Sequence, residues 1–566
     1  MKKCCFFLLV LLFAKTGIAQ YSRYIIQLTN KKGTPHTFNT PTTFLSTKAI
    51  NRRIKYDIAI DSTDLPVSKT YLDSISKVPN VTVLNSSKWL NQVCIRTTDA
   101  AALTTINSFS FVKNTQAIAT QINPVPPPVL LNKFNGYNPT PVLQTNGATG
   151  IQADDIIDYG SMYAQIHIHE GEFLHNLGYQ GQGITIAVLD AGFRDYKTNP
   201  ALDSVRLKGQ ILGEWDYVAN EVDVNMDHPH GMWCFSVMAS NTPGSLVGAS
   251  PKANYWLLRT EDAATEYPVE EQYWVVAAEF ADSAGADMIS SSLGYSDFDD
   301  PSFNHTYAQR NGNTSIITRG ADIAAKKGIL ICNSAGNSGG NTNDLKFVAC
   351  PADADSVLTV GAINYDGTIA SFSSWGPNGA GKTKPNVVSV GRGTIVAWNA
   401  GYPVGLNGTS FSNPNMCGLI ACLWQAFPEF NNMEIINAVQ KSSHKYNIPD
   451  DRFGYGIPNM RIAYELLQAE RVRRNYLQVL NKQYIKAYPV PFKETLSILL
   501  HAPASGNATL RLTDMNGKTI EVINTPVQQD QLYTLQFTKM ALMAKGVYTI
   551  QFTDGINKTN LRVVKQ

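Results

Sequence analysis

The chain has 566 residues, 44% of them hydrophobic and 16% charged, which is too long for one ordinary domain and is enough for several sizeable cores. A formal net charge of +2, with no basic tract interleaved with aromatics, argues against nucleic acid as a partner. Eight cysteines spread thinly over this length are not a disulfide framework.

The N-terminus opens with Met1-Lys2-Lys3, an apolar run over 4–14, and small residues at Gly17-Ile18-Ala19. This is the pattern of a secretory signal peptide, residues 1–19, cut after Ala19. Its apolar core is too short to span a bilayer, and no later stretch supplies a spanning helix. Cys4 and Cys5 precede that core, so a lipoprotein signal does not fit. The mature chain is expected outside the cytoplasm.

Residues 20–120 read as a small α+β unit. Strands are expected at 24–29, 81–84 and 93–96, with helices at 46–55 and 99–108. The stretch 121–150 contains Pro124-Val125-Pro126-Pro127-Pro128 and is rich in Gly, Asn and Thr, as an extended, protease-accessible linker would be. From 151 to 468 strands and helices alternate. Continuous apolar runs at 184–189, 286–289, 328–332 and 357–361 suit strands buried on both faces, and helices are expected at 272–284 and 319–327. This is the texture of a parallel α/β sheet with helices on both faces, which places its chemistry at the carboxyl ends of the strands. A charged helical connector (469–483) leads to 484–566, an all-β sandwich with a hairpin turn at Asn516-Gly517. Cys332 and Cys350 flank the ends of two expected strands and leave one bridge between them open. Cys234, Cys417 and Cys422 fall in apolar helical segments, as small buried hydrophobes do.

Four places carry chemistry. Asp190 ends the first buried run and is followed by Ala191-Gly192; a carboxylate there needs a partner. His230-Gly231 stands at the mouth of an apolar helix. Asn337 lies in the glycine-rich loop Asn333-Ser334-Ala335-Gly336-Asn337-Ser338-Gly339-Gly340, where a side-chain amide can donate to an anionic oxygen. Gly408-Thr409-Ser410 opens directly into the apolar run 419–427, so Ser410 faces first-turn N–H groups and the positive end of a helix dipole. Taken singly, Ser410 reads as a helix cap and Asn337 as a turn residue.

In the order Asp, His, Asn, Ser, these motifs resemble the subtilisin-like serine peptidases over roughly 180–465. Ser292-Leu293-Gly294, Phe372-Ser373-Ser374-Trp375-Gly376-Pro377, Lys384-Pro385-Asn386 and Pro414 add to the likeness. The resemblance implies a subtilisin-like α/β fold and a serine endopeptidase. In it Ser410 is the nucleophile, His230 its base, Asp190 the group orienting that base, and Asn337 an oxyanion donor. It also implies that Ser292, Leu293, Gly294, Ala335 and Gly336 line the substrate cleft and pair with the peptide as an added strand. The alternative is a weak or inactive surface-binding protein on the same scaffold.

Several positions depart from the family pattern. Met232 and Trp233 replace the usual Thr and His after the His-Gly pair, beside the substrate side of the site, and Ser236 replaces a glycine. Asn199 stands where relatives often carry a calcium-ligating aspartate. No cofactor is expected, and a structural calcium is left open without assigned ligands. His228 competes with His230 for the role of base, but Gly231 and the helix register favour His230. His167, His169 and His175 near Glu170 match no standard zinc spacing, so no metal is assigned. By position and pattern, 20–120 resembles the family's inhibitory propeptide, which makes the protein a zymogen. Tyr488-Pro489-Val490-Pro491-Phe492, Asp514-Met515-Asn516-Gly517-Lys518, Leu542-Met543-Ala544-Lys545-Gly546-Val547-Tyr548 and the terminal Val564-Lys565 resemble the sorting domain of the type IX (Por) secretion system. The expected partners are a protein or peptide substrate, the chain's own propeptide and outer-membrane secretion machinery, and the expected destination is the cell surface or the medium.

Overall fold

The computed structural model describes residues 21–120, 139–141 and 155–566. The signal peptide and nearly all of the proline-rich stretch lie outside the described residues. The chain forms two units, divided between Ala463 and Tyr464.

The first unit begins with a four-stranded antiparallel sheet in the order Thr82–Ser87, Gln92–Arg96, Tyr21–Leu28, Val112–Thr120. Strand alternation divides its side chains between two cores. Ile26, Val93 and Ile95 pack with Ile75, Ala102 and Ile106. Ile25, Cys94, Ile118 and Ala119 point the other way, into a core shared with Tyr273, Trp274, Ala321 and Ala324. The helix Lys69–Ser76 and the strand Val112–Thr120 were not expected from the sequence. That strand reads VKNTQAIAT, too polar over its first half to show an apolar alternation.

The rest of this unit is built on a seven-stranded parallel sheet. Its order is Val387–Val390, Leu358–Ile363, Leu330–Ser334, Met288–Ser291, Thr185–Asp190, Asn254–Arg259, Ile211–Asp216. The helices His230–Ala239 and Thr409–Ala426 cover one face, and Pro268–Ala284 and Ile316–Lys326 cover the other. The four expected strands are present, lengthened or shifted by one or two residues. The strands at 211–216, 254–259 and 387–390 were not read: Ile211–Asp216 is an edge strand with mixed burial, and Val387–Val390 is short. Chain order reverses beside Thr185–Asp190, which opens a crevice at its carboxyl end. Asp190 ends that strand.

The residues expected as a charged helical connector are helical up to Leu480. Met460–Leu480 is one helix across the division between the units, with no Gly or Pro inside it and with Glu470 paired to Arg473 and Arg474 one turn on. The second unit adds a three-stranded antiparallel sheet (Ile485–Tyr488, Leu496–His501, Leu532–Phe537) and a four-stranded one (Thr519–Val527, Gly506–Thr513, Gly546–Thr553, Lys558–Lys565) around a core of its own. The hairpin turn falls at 514–518, where Asp514 accepts from Asn516 and Lys518 and Gly517 takes φ 82°.

The conceivable bridge between Cys332 and Cys350 does not form. Both are buried free thiols, as are Cys94, Cys234, Cys417 and Cys422. The Cys332 thiol faces Cys417 and that of Cys350 faces Ser315 and Thr318.

Candidate active site

Asp190 and His230 meet by way of two glycines. The Gly231 N–H donates to Gly192 O at 3.0 Å, drawing the start of the helix His230–Ala239 against the end of the strand Thr185–Asp190. A Cβ on Gly231 would lie 2.5 Å from that oxygen and 2.8 Å from the Asp190 Cβ, so only glycine permits the approach. His230 Nδ1 then stands 2.7 Å from Asp190 Oδ1, with both side chains fully buried. The Ala191 N–H donates to the same Oδ1 at 2.7 Å. His228 does not share this carboxylate. Its Nδ1 accepts the His230 N–H at 3.2 Å, its ring lies edge-on to Trp233, and burial next to His230 lowers its pKa to about 4.

Ser410 lies in the first turn of the helix Thr409–Ala426, a buried helix that starts after Gly408. Pro414 sits inside this helix and has no N–H to give the carbonyl four residues back, which is that of Ser410. That orphaned oxygen is satisfied from the side: Ser292 Oγ donates to it at 2.9 Å and Cys234 Sγ lies 3.2 Å away. Cys234 Sγ is also 3.9 Å from His230 Nδ1, and burial beside Asp190 pushes its thiol pKa well up.

Asn337 is oriented by Thr409. The Thr409 N–H donates to Asn337 Oδ1 at 2.8 Å and Thr409 Oγ1 is 2.9 Å from the same oxygen. A backbone N–H can only donate, so the oxygen of the amide faces Thr409 and the Nδ2 protons face away from it. Asn337 and Ser410 line one cavity of about 170 Å³, together with Ser292, Leu293, Gly294 and Gly336.

Ala335 was expected in this lining and is not there. Its side chain is fully buried with Val348 and Ala352, because it points to the opposite side of the extended segment from its neighbours and supports the loop from behind. Met232 and Trp233 do not line the cavity either. Met232 is buried with its sulfur 3.5 Å from Asn199 Nδ2, and Trp233 stacks on Trp398 at 4.6 Å. Both are buried packing residues, in contact with Asn199 and with Trp398 and His228. Asn199 Oδ1 accepts the Ala201 N–H, and its Nδ2 donates to Trp398 O. The three histidines upstream turn to separate partners: His167 to Glu172, His169 to Ser389 and Pro458 O, and His175 to Tyr159 and Ala249 O. The sequence reading missed the cavity's two carboxylates, Glu261 and Glu266.

The N-terminal sheet is tied to the same unit by buried charge. Glu279 accepts the N–H groups of Lys88 and Trp89 at 2.8 and 3.0 Å, and Arg53 bridges Asp282 and Asp64 at 2.7 and 2.6 Å. The last residue of its edge strand, Thr120, donates to Tyr267 Oη at 2.7 Å, one residue from Glu266 in the cavity wall.

Comparison with known proteins matches three stretches of the chain. Residues 181–456 match the Subtilase family, 23–131 the peptidase S8 propeptide domain of Bacteroidota, and 486–566 the secretion system C-terminal sorting domain. The serine protease AprX of Bacillus subtilis (strain 168) is 26% identical over 309 residues, which is 49% of this chain and 65% of that protein. Subtilisin J of Geobacillus stearothermophilus is 27% identical over 294 residues, 51% of this chain and 68% of that one. The thermophilic serine proteinase of Bacillus sp. (strain AK1) is 28% identical over 276 residues, 48% and 60%. The chain thus spans roughly two thirds of the length of these relatives.

Proposed function

We propose that this chain, with its matches to the Subtilase family, an S8 propeptide domain and a secretion sorting domain, is a secreted serine endopeptidase, made as a zymogen, with Ser410 as its nucleophile. The observation that carries the reading is the buried 2.7 Å approach of Asp190 to His230, beside a serine that shares its cavity with an oriented amide.

In this reading Ser410 Oγ attacks the scissile carbonyl and passes its proton to His230. A serine hydroxyl is a poor nucleophile at neutral pH and needs such a base. Asp190 holds the proton on Nδ1, which leaves Nε2 as the basic nitrogen, and it stabilises the imidazolium that forms. The oxyanion is met by Asn337 Nδ2 and the Ser410 N–H at the positive end of the helix dipole. His230 then protonates the leaving amine, and water releases the acyl group by the reverse relay. Ser292-Leu293-Gly294 and Gly336 flank the peptide. The N-terminal domain is the inhibitor, and what supports this is that Thr120, at the end of its last strand, donates to Tyr267, next to Glu266 in the cavity wall.

The test is labelling of the secreted protein with a fluorophosphonate, beside Ser410→Ala. We expect the label to vanish and peptide hydrolysis to fall about 10⁴-fold or more in the variant. Labelling that persists removes Ser410 as the nucleophile.

A further inference from the structure

From 260 to 309 the chain carries eleven acidic residues and no lysine or arginine. Part of this charge is met by the N-terminal domain: Asp282 by Arg52 and Arg53, Asp287 by Lys48. Glu271 faces His305. A second group stands at the other end, in the cleft. Glu261 and Glu266 line the cavity that holds Ser410 and Asn337, and their oxygens lie within 4.8 Å of each other and of Glu270. Glu270 is committed to the backbone, accepting from the Asp262 and Tyr267 N–H groups at 2.7 and 3.0 Å. Tyr295 Oη donates to Glu261 and fixes that carboxylate in place. Among the described residues lining the cavity, two are carboxylates and none is a cation.

We propose that Glu261 and Glu266 select a cationic substrate side chain, arginine or lysine, for this cavity; the proposal rests on the peptidase reading of Ser410. A cleft lined by one sign of charge with apolar walls (Leu293, Leu345 and Phe347) focuses its field inward. A cation that leaves water there regains charge-assisted hydrogen bonds, a neutral side chain of the same shape does not, and an acidic one is repelled. Arginine suits the pair best, because its planar fork can reach two carboxylates at once.

The experiment uses the purified secreted protein, its active fraction counted by fluorophosphonate titration of a separate sample. The substrates are fluorogenic peptides with arginine or its neutral isostere citrulline at each of four positions on the acyl side of the scissile bond. The expected result is an arginine-to-citrulline ratio in kcat/KM of about 10–100 at one position, because only arginine carries the charge that these carboxylates stabilise in the transition state. In Glu261→Gln and in Glu266→Gln that ratio falls toward one. Taking the ratio within each preparation cancels losses of overall activity. Glu266 is less buried than Glu261 and gives the second variant should Glu261→Gln fail to fold. A ratio near one at every position in the natural protein overturns the proposal, as does a ratio that survives both substitutions. If the fluorophosphonate labels the protein and no charge preference appears, only this inference falls. If Ser410 takes no label, the peptidase reading falls with it.

Discussion

Asn337 is held by the residue next to Ser410, so the proposed donor and nucleophile move together. Thr409 gives both its N–H and its hydroxyl to the Asn337 oxygen, which leaves the amide protons for the cavity. Asn337→Ala is expected to lower kcat by about 10²–10³, a magnitude known from a subtilisin, with KM little changed; steady-state kinetics on one peptide checks it. Gly231 carries a different prediction. A methyl there meets Gly192 O and the Asp190 Cβ, so Gly231→Ala pushes the strand and the helix apart. It should cost about 1–3 kcal/mol of stability and lower kcat/KM by tenfold or more with every functional group still present. At this scale the candidate positions Asp190, His230, Asn337 and Ser410 were legible in the sequence, because each lies within two residues of a glycine that marks a close approach or a turn. The burial of the Ala335 side chain away from this cavity was not legible, since a motif does not say which side of an extended segment faces the cavity. Glu261 and Glu266 were missed because nothing local distinguishes them from surface acids.

At the scale of elements, the helix Thr409–Ala426 and the two helices under the N-terminal sheet do most of the positioning. Pro414 leaves the Ser410 carbonyl to Ser292 and Cys234, which ties the helix to the end of the strand Met288–Ser291 and to the helix His230–Ala239. The helix Pro268–Ala284 presents Glu279 and Asp282 to the N-terminal sheet, both buried. Asp282→Ala leaves Arg52 and Arg53 buried without their shared carboxylate and should destabilise the Ser410→Ala zymogen by about 3–5 kcal/mol, read by chemical denaturation. Glu279 makes the packing depend on pH. Burial raises its pKa from the ordinary 4.5 to about 7, outweighing the Lys88 charge and the N–H donors. The packed chain therefore keeps a proton that the unfolded chain releases, so this contribution is fullest below pH 4.5, is lost as pH rises to about 7, and stays lost above. Between pH 5 and 8, Glu279→Gln in the Ser410→Ala chain should lose less stability than its parent, by ~3 kcal/mol, in melts at the two pH values. The central strands and main helices were legible from their apolar runs. Edge strands such as Ile211–Asp216, whose burial is mixed, were not.

For the whole molecule, secretion and reduction supply the tests. The sorting domain at 486–566 supports export to the surface or the medium, and we expect a chain lacking it to stay cell-associated in fractionation while remaining reactive to fluorophosphonate once its propeptide is removed. With six buried free thiols among the described residues, the melting temperature should be the same with and without reductant. By itself the sequence determined the class of each unit, the order of the motifs and the candidate site residues, because these depend on periodicity and on local glycine geometry. The tertiary structure alone decided that Asp190 turns to His230 and away from His228, and that Met232 and Trp233 pack against Asn199 and Trp398. Only the fold, too, set two carboxylates in the wall of the cavity that holds Ser410. These are meetings of residues far apart in the chain, and only the packing of helices on the sheet brings them together.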